Sequence, residues 1–322
     1  MDIADLQKLA QRTRSMREAG IALLFASGIL ALFIFIPPLF ETPGSQISNA
    51  SSGGLTLADI AAPDAFANIP LEAKAAIVYD LVTRETLYAK NADDQLPLAS
   101  LTKLLTVYAA LSKLSPNTPI TISASAAQLE APRAFSTGQT FALADLARLT
   151  LTASLNDGAS AIAEATATLE NRSQNEMLAG AAAALGLSQT YAVNGSGLDI
   201  NDSVSGGYGS AHDLALLAGA LVAQSPAIAE ATTKSSAQAI SEGGSSFKVM
   251  NTDPMINTIP HLLLSKTGYT DLAGGNLALV FDSGIGHPIA VVVLSSSQKA
   301  RFTDGSTLVA ATLAHFAGVA SL

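Results

Sequence analysis

The sequence has no cysteine and no tryptophan. Without cysteine there is no disulfide, no thiolate nucleophile and no cysteine-ligated metal, a composition compatible with an oxidising compartment. Charge is scarce as well. Only 13% of the 322 residues are charged and the net charge is −9, so there is no general electrostatic reason to bind nucleic acid. The four histidines, His212, His261, His287 and His315, stand beside no G-x-S-x-G sequence, which leaves a serine–histidine pair without a signal. No repeat of fixed period is visible. Lysine and arginine are also missing from a long N-terminal stretch between Arg17 and Lys74.

Inside that stretch lies a long uncharged run, AGIALLFASGILALFIFIPPLF, at residues 19–40. A membrane-spanning helix needs about 20 apolar residues. Lys8, Arg12, Arg14 and Arg17 precede the run, so the positive-inside rule leaves the N-terminus in the cytoplasm. The expected organisation is a cytoplasmic segment at 1–18, an uncleaved signal anchor at 19–40, a Ser/Gly/Ala/Pro-rich flexible linker at 41–70 and a globular domain at 71–322 outside the membrane. The competing reading, a cleaved signal peptide, would cut near Ser48-Asn49-Ala50, well past Pro37-Pro38.

With 49% hydrophobic residues the domain can build a substantial core. AAIVYD (75–80) and TLYAK (86–90) read as a β-hairpin. From Ser100 to about Val222 the apolar spacing is helical. Ser210 is a natural N-cap with Asp213 at the third helical position. Three strand-like runs follow at 262–269, 276–281 and 288–296, and a final helix at 306–318. The fold class expected is α+β: an antiparallel sheet drawn from both chain ends, packed on helices, with an all-α lobe inserted.

Ser-x-x-Lys occurs three times, at Ser100–Lys103, Ser245–Lys248 and Ser296–Lys299. Only the first opens an apolar helix, LPLASLTKLLTVYAAL, where residues i and i+3 share a face and a lysine would be desolvated. The second is expected in a loop and the third at a strand end. Ser-x-Asn occurs at Ser115, Ser154 and Ser173. Each alone reads as a helix cap, but Ser154-Leu155-Asn156 sits between two helical runs, where side chains can face a cleft. Lys266-Thr267-Gly268 is rarer, with about 0.05 such tripeptides expected by composition. It lies in a strand, with a glycine where backbone can approach a ligand.

In this order the three motifs resemble those of the penicillin-recognising serine enzymes. The surrounding stretches DDQLPLASLTKLLT, TASLNDGASAIAE, VNGSGL, SAHDLALLA and SKTGYTDLAGGNL resemble the low-molecular-mass penicillin-binding proteins, the D-alanyl-D-alanine carboxypeptidases, over about residues 70–320. The resemblance implies a β-lactamase/DD-peptidase-like fold and an acyl-enzyme on Ser100. Its substrates would be peptidoglycan stem peptides ending in D-Ala-D-Ala, with β-lactam antibiotics as covalent inhibitors and no metal or cofactor. Acyl transfer needs a nucleophile, a base, an oxyanion hole and a substrate clamp. Ser100 is the nucleophile. Lys103 is the base, kept neutral by a low-dielectric pocket and by Lys266. Ser154 relays a proton to the leaving amine and Asn156 binds the substrate amide.

By resemblance the oxyanion hole is the N–H groups of Ser100 and Tyr269, beside Gly268, and Lys266, Thr267 and Arg301 surround the terminal carboxylate. The strand preceding Arg301 is expected beside the Lys-Thr-Gly strand. Leu155 is bulkier than the family's usual residue at that place and is expected to reshape the cleft. The resemblance covers the peptidase domain alone, so the N-terminal span is expected to take the place of the family's C-terminal anchoring helix. Three readings compete: a DD-endopeptidase cutting cross-links, a β-lactamase, and a non-catalytic peptidoglycan-binding protein. A β-lactamase needs a carboxylate for deacylation, and Glu164, Glu170 and Glu176 fall on expected helices.

Overall fold

The computed structural model describes residues 64–318. The expected cytoplasmic segment, the anchor at 19–40 and most of the linker lie outside these residues. Strands β1 (Ala75–Asp80) and β2 (Thr86–Lys90) form the first hairpin. A short β3 (Leu96–Pro97) leads through a single 3₁₀ turn, Ala99–Leu101, into helix α1 (Thr102–Leu111). Strand β4 (Pro119–Thr121), helix α2 (Ala124–Ala127) and strand β5 (Thr140–Ala142) precede α3 (Leu143–Ala153), α4 (Asn156–Glu170) and α5 (Gln174–Ala184). Strands β6 (Tyr191–Ala192) and β7 (Gly207–Gly209) join β3 in a small sheet. Helices α6 (Ala211–Gln224) and α7 (Pro226–Ala231) lead to the hairpin β8 (Ser236–Ile240) and β9 (Ser246–Met250). Last come β10 (Leu262–Thr270), β11 (Gly274–Asp282), β12 (Pro288–Ser296) and α8 (Ala300–Phe316).

The main sheet has the order β10-β11-β12-β1-β2, antiparallel throughout, so both chain ends build it. Its central strands are buried on both faces. In β1, Ala75, Ile77 and Tyr79 join the core shared with the helical lobe, while Ala76 and Val78 join a second core with Leu308 and Val309 of α8. Successive side chains of a strand alternate faces, so a sheet between two helical layers reads as unbroken apolar runs. The Ser210 cap forms as expected, its side chain accepting from Asp213 N.

Three expectations are corrected. First, β12 does not lie beside β10: β11 runs between them, because two tight connections make the last three strands a meander. Second, the final helix begins at Ala300 rather than Ser306. The helix runs through Gly305, which faces the sheet, where a Cβ would stand 2.7 Å from Leu277 Cδ2. Third, the expected loop around Ser245–Lys248 is the hairpin β8–β9, whose Lys248 is exposed.

Candidate active site

The nucleophile turn is strained locally. Ala99, fully buried, has φ 48, a left-handed conformation that costs roughly 1–2 kcal/mol for a residue with a Cβ. The turn is gripped from two sides. Gly197 (φ 76) brings the 194–198 loop so close that a Cβ there would sit 1.9 Å from Ala99 O. Gly268 of β10 leaves only 3.3 Å between its missing Cβ and Ser100 N. The glycine of the Lys-Thr-Gly sequence thus serves an approach to the protein's own backbone.

Lys103 follows one helical turn after Ser100 and is 0% exposed. Its Nζ lies 2.7 Å from Ser100 Oγ, 2.8 Å from Asn156 Oδ1 and 2.7 Å from Ser196 O. The last two oxygens are acceptors and must receive N–H bonds. A neutral amine has two such hydrogens and one lone pair, and the lone pair is then left for the Ser100 hydroxyl. Burial, and next the Lys266 charge, push the Lys103 ammonium well below its ordinary 10.5, while Asp157 opposes them. Lys266, also buried, is pushed down to about 7 by burial and by Arg301. Its Nζ donates to Ser154 Oγ at 2.9 Å and to Thr267 O at 2.6 Å.

Ser154 caps the end of α3 with φ 60, and its N–H donates to Thr150 O. That conformation belongs more often to glycine. Here it turns the hydroxyl toward Lys266 and starts α4 two residues later. Asn156 Nδ2 donates to Glu130 O at 2.9 Å, leaving its second hydrogen for a ligand. Leu155 is 4% exposed and packs in the main core, so it does not reshape the cleft. Arg301, in the first turn of α8, donates from Nη1 to Gly268 O at 2.5 Å. It reaches that edge strand because Gly275 lets the chain after β12 cross the start of β11: a Cβ at Gly275 would stand 2.1 Å from Ser297 O. Arg301 Nε is buried without a partner. Tyr269 is 44% exposed.

The structure therefore brings Ser100, Lys103, Ser154, Asn156, Lys266, Thr267, Gly268 and Arg301 to one edge of the sheet. The other two Ser-x-x-Lys matches are elsewhere: Lys248 and Lys299 are exposed, and Ser296 Oγ donates to Asp304. The D-alanyl-D-alanine carboxypeptidase family model matches residues 61–298. The chain belongs to the D-alanyl-D-alanine carboxypeptidase family.

Among its relatives in this family, the Bacillus subtilis (strain 168) D-alanyl-D-alanine carboxypeptidase DacF is 29% identical over 254 residues, covering 74% of this chain and 64% of the relative. A D-alanyl-D-alanine endopeptidase of Pseudomonas aeruginosa is 30% identical over 261 residues, covering 77% of this chain and 81% of the relative. Penicillin-Binding Protein D2 from Listeria monocytogenes, solved in its ampicillin-bound form, is 28% identical with a TM-score of 0.65, over 76% of this chain and 98% of that one. The fold is therefore that of the penicillin-binding DD-peptidases.

Several residues of this carboxypeptidase-family site carry no motif. Asp157, fully buried, accepts from Ala134 N, Phe135 N and Gly158 N at 2.7, 2.7 and 2.8 Å. It thereby fixes the loop whose Glu130 O and Pro132 O hold Asn156. Asn194 Oδ1 accepts from Ser196 N and Gly197 N, which aims Ser196 O at Lys103. Asp253, buried, accepts from Ser265 Oγ at 2.6 Å; burial lowers the Arg301 pKa and the Asp253 charge opposes it. The sequence hints at these were the VNGSGL stretch and, for Asp157, the TASLNDGASAIAE stretch. The carboxylates of the expected helices are otherwise engaged: Glu164 accepts from Ser160 Oγ, Glu170 pairs with Lys113 and Glu176 closes a capping box with Ser173.

Proposed function

We propose that this chain is a serine-type D-Ala-D-Ala carboxypeptidase acting through an acyl-enzyme on Ser100. The observation that carries the reading is the buried Lys103 Nζ, bound to two acceptors and 2.7 Å from Ser100 Oγ. Ser100 Oγ attacks the carbonyl between the two D-alanines, and its proton passes to neutral Lys103. The oxyanion is stabilised by the N–H groups of Ser100 and Tyr269, each typically worth about 2.7–4 kcal/mol. Ser154, held by Lys266, gives its proton to the leaving amine and takes one back from the Lys103 ammonium, and the C–N bond breaks. Lys266, Thr267 and Arg301 hold the carboxylate of the leaving D-alanine, and Asn156 the substrate amide. Water then cleaves the ester. The same carbonyl chemistry makes β-lactams covalent inhibitors. Engagement of Glu164, Glu170 and Glu176 elsewhere supports slow release of the penicilloyl ester.

A second reading, DD-endopeptidase, is favoured by the open groove of about 740 Å³ beyond Tyr269, lined also by Glu130, Leu198 and Asp271, which has room for a cross-linked stem. Residues 19–40 anchor the chain in the cell membrane, with 1–18 in the cytoplasm and the domain outside, facing peptidoglycan. Among the described residues no helix is long and apolar enough to cross a membrane, so this part rests on the apolar run and its flanking charges.

The test uses labelled penicillin on the domain and on Ser100→Ala. A penicilloyl adduct on the Ser100 peptide, with release of D-alanine from a D-Ala-D-Ala peptide outpacing cleavage of a cross-linked dimer, supports the reading. Label on Ser245 or Ser296 refutes the assignment. Faster cleavage of the dimer selects the endopeptidase, and rapid turnover of penicillin a β-lactamase.

A further inference from the structure

Thr252 belongs to the segment joining β9 to β10, and no role above uses it. Its Oγ1 lies 2.6 Å from Thr267 Oγ1. Its N–H donates to Thr152 O at 3.2 Å, two residues before Ser154 at the end of α3. The segment is held rigidly on both sides. Asn251 Nδ2 donates to Thr232 O and Lys234 O, and Asn251 Oδ1 accepts from Asp253 N. Thr267 is buried, whereas Thr252 is exposed at the rim of the cleft.

Two hydroxyls at this separation share one hydrogen: one donates and the other accepts. If Thr267 donates, it shows an incoming anion only lone pairs. If Thr252 donates, the Thr267 O–H stays free to bind the anion. We propose that Thr252 is a positioning residue for the substrate's terminal carboxylate. It donates to Thr267 Oγ1, turning the Thr267 hydrogen into the cleft. Through its N–H it also ties that hydroxyl pair to the helix end carrying Ser154. The anion seat and the proton relay, on opposite walls of the cleft, thereby keep one spacing. The inference rests on the reading of Lys266, Thr267 and Arg301 as the carboxylate seat.

The test compares wild type, Thr252→Val, Thr252→Ser and Thr267→Val on a D-Ala-D-Ala peptide and on its C-terminally amidated counterpart. Saturating labelled penicillin counts the folded sites in each variant. Thr252→Val keeps the shape and loses the hydroxyl. It should lower kcat/KM on the free carboxylate about 3- to 10-fold, the range of one neutral hydrogen bond, chiefly through KM. The amidated peptide should be unaffected, and Thr252→Ser should restore the wild-type value. Equal losses on both peptides, or no rescue by serine, would overturn the proposal and leave Thr252 a turn-holding residue. If Thr267→Val separates the two peptides and Thr252→Val does not, the proposal alone falls. If Thr267→Val does not separate them, the carboxylate seat itself is wrong, and the proposal falls with it.

Discussion

Replacing Asp157 by asparagine should separate the two things this buried carboxylate does. Its Oδ2 receives two backbone N–H bonds, from Ala134 and Phe135, and its Oδ1 receives one from Gly158. An asparagine oxygen can keep the pair at Oδ2, but its amide nitrogen then faces the Gly158 N–H. Two hydrogen bonds fall from the charged range of about 1.5–3 kcal/mol to the neutral range of about 0.5–1.5, and one buried donor is left unpaired at a further 1–3. The expected loss of stability is about 3–6 kcal/mol. For a domain of about 250 residues that lowers Tm by roughly 10–20 °C. The kinetic effect has its own sign. The Asp157 charge raises the Lys103 pKa against burial and Lys266, which lower it. Without that charge Lys103 stays neutral further into acid, so the acidic limb of the penicillin acylation rate moves to lower pH. Thermal melts and acylation rates across acidic and neutral pH measure both. A limb that stays in place or moves to higher pH would refute the electrostatic account, and an unchanged Tm would refute the anchoring account.

Lys103→Met should leave a folded protein whose acylation by penicillin is slower by about 10²–10⁴; near wild-type acylation would remove Lys103 as the base. Gly197→Ala should cost about 2–4 kcal/mol in denaturant unfolding, from the left-handed φ and the clash with Ala99 O. Gly186→Ala, with φ 72 but open space around it, is the control and should cost only the conformational part. The fall of the Lys266 pKa to about 7 from 10.5 means that the folded state sheds a proton first. Stability should therefore rise as pH rises through that window, and Lys266→Met should flatten the rise in unfolding midpoints. Arg301→Ala should lower kcat/KM on D-Ala-D-Ala peptides about 10- to 100-fold and affect an amidated peptide far less; equal losses would make Arg301 a structural residue.

That Ser100, Lys103, Ser154 and Lys266 come together in two hydrogen-bonded pairs was legible from side-chain type at short spacing, and the apolar helix around Lys103 announced its burial. Ser196 was not legible, because it acts through its carbonyl, and any residue has one. Asp157 and Asp253 gave no signal, since a buried carboxylate that receives backbone or hydroxyl hydrogens looks in sequence like a surface charge. The antiparallel pairing of β11 with β12 could be read from the DSGIGH turn between them, but the neighbour of β10 was hidden, because β11 and β12 are apolar on both faces and alternation gives no register. The start of α8 was missed; the helix runs through Gly305, where close packing on Leu277 demands the glycine. Gly275 likewise concealed the crossing that carries Arg301 to the edge strand.

The pairing of β1 with β12, Ala75 opposite Leu294, has a consequence for the order of assembly. Contacts this distant along the chain form slowly, because the loop between them must first be closed. Ser100 and Lys103 are synthesised long before β10 arrives with Lys266. Until then Lys103 is solvated and keeps its proton, and Ser100 has no base. A nascent or truncated chain should be inert toward penicillin, so penicillin labelling during synthesis or refolding should report when the last strands dock.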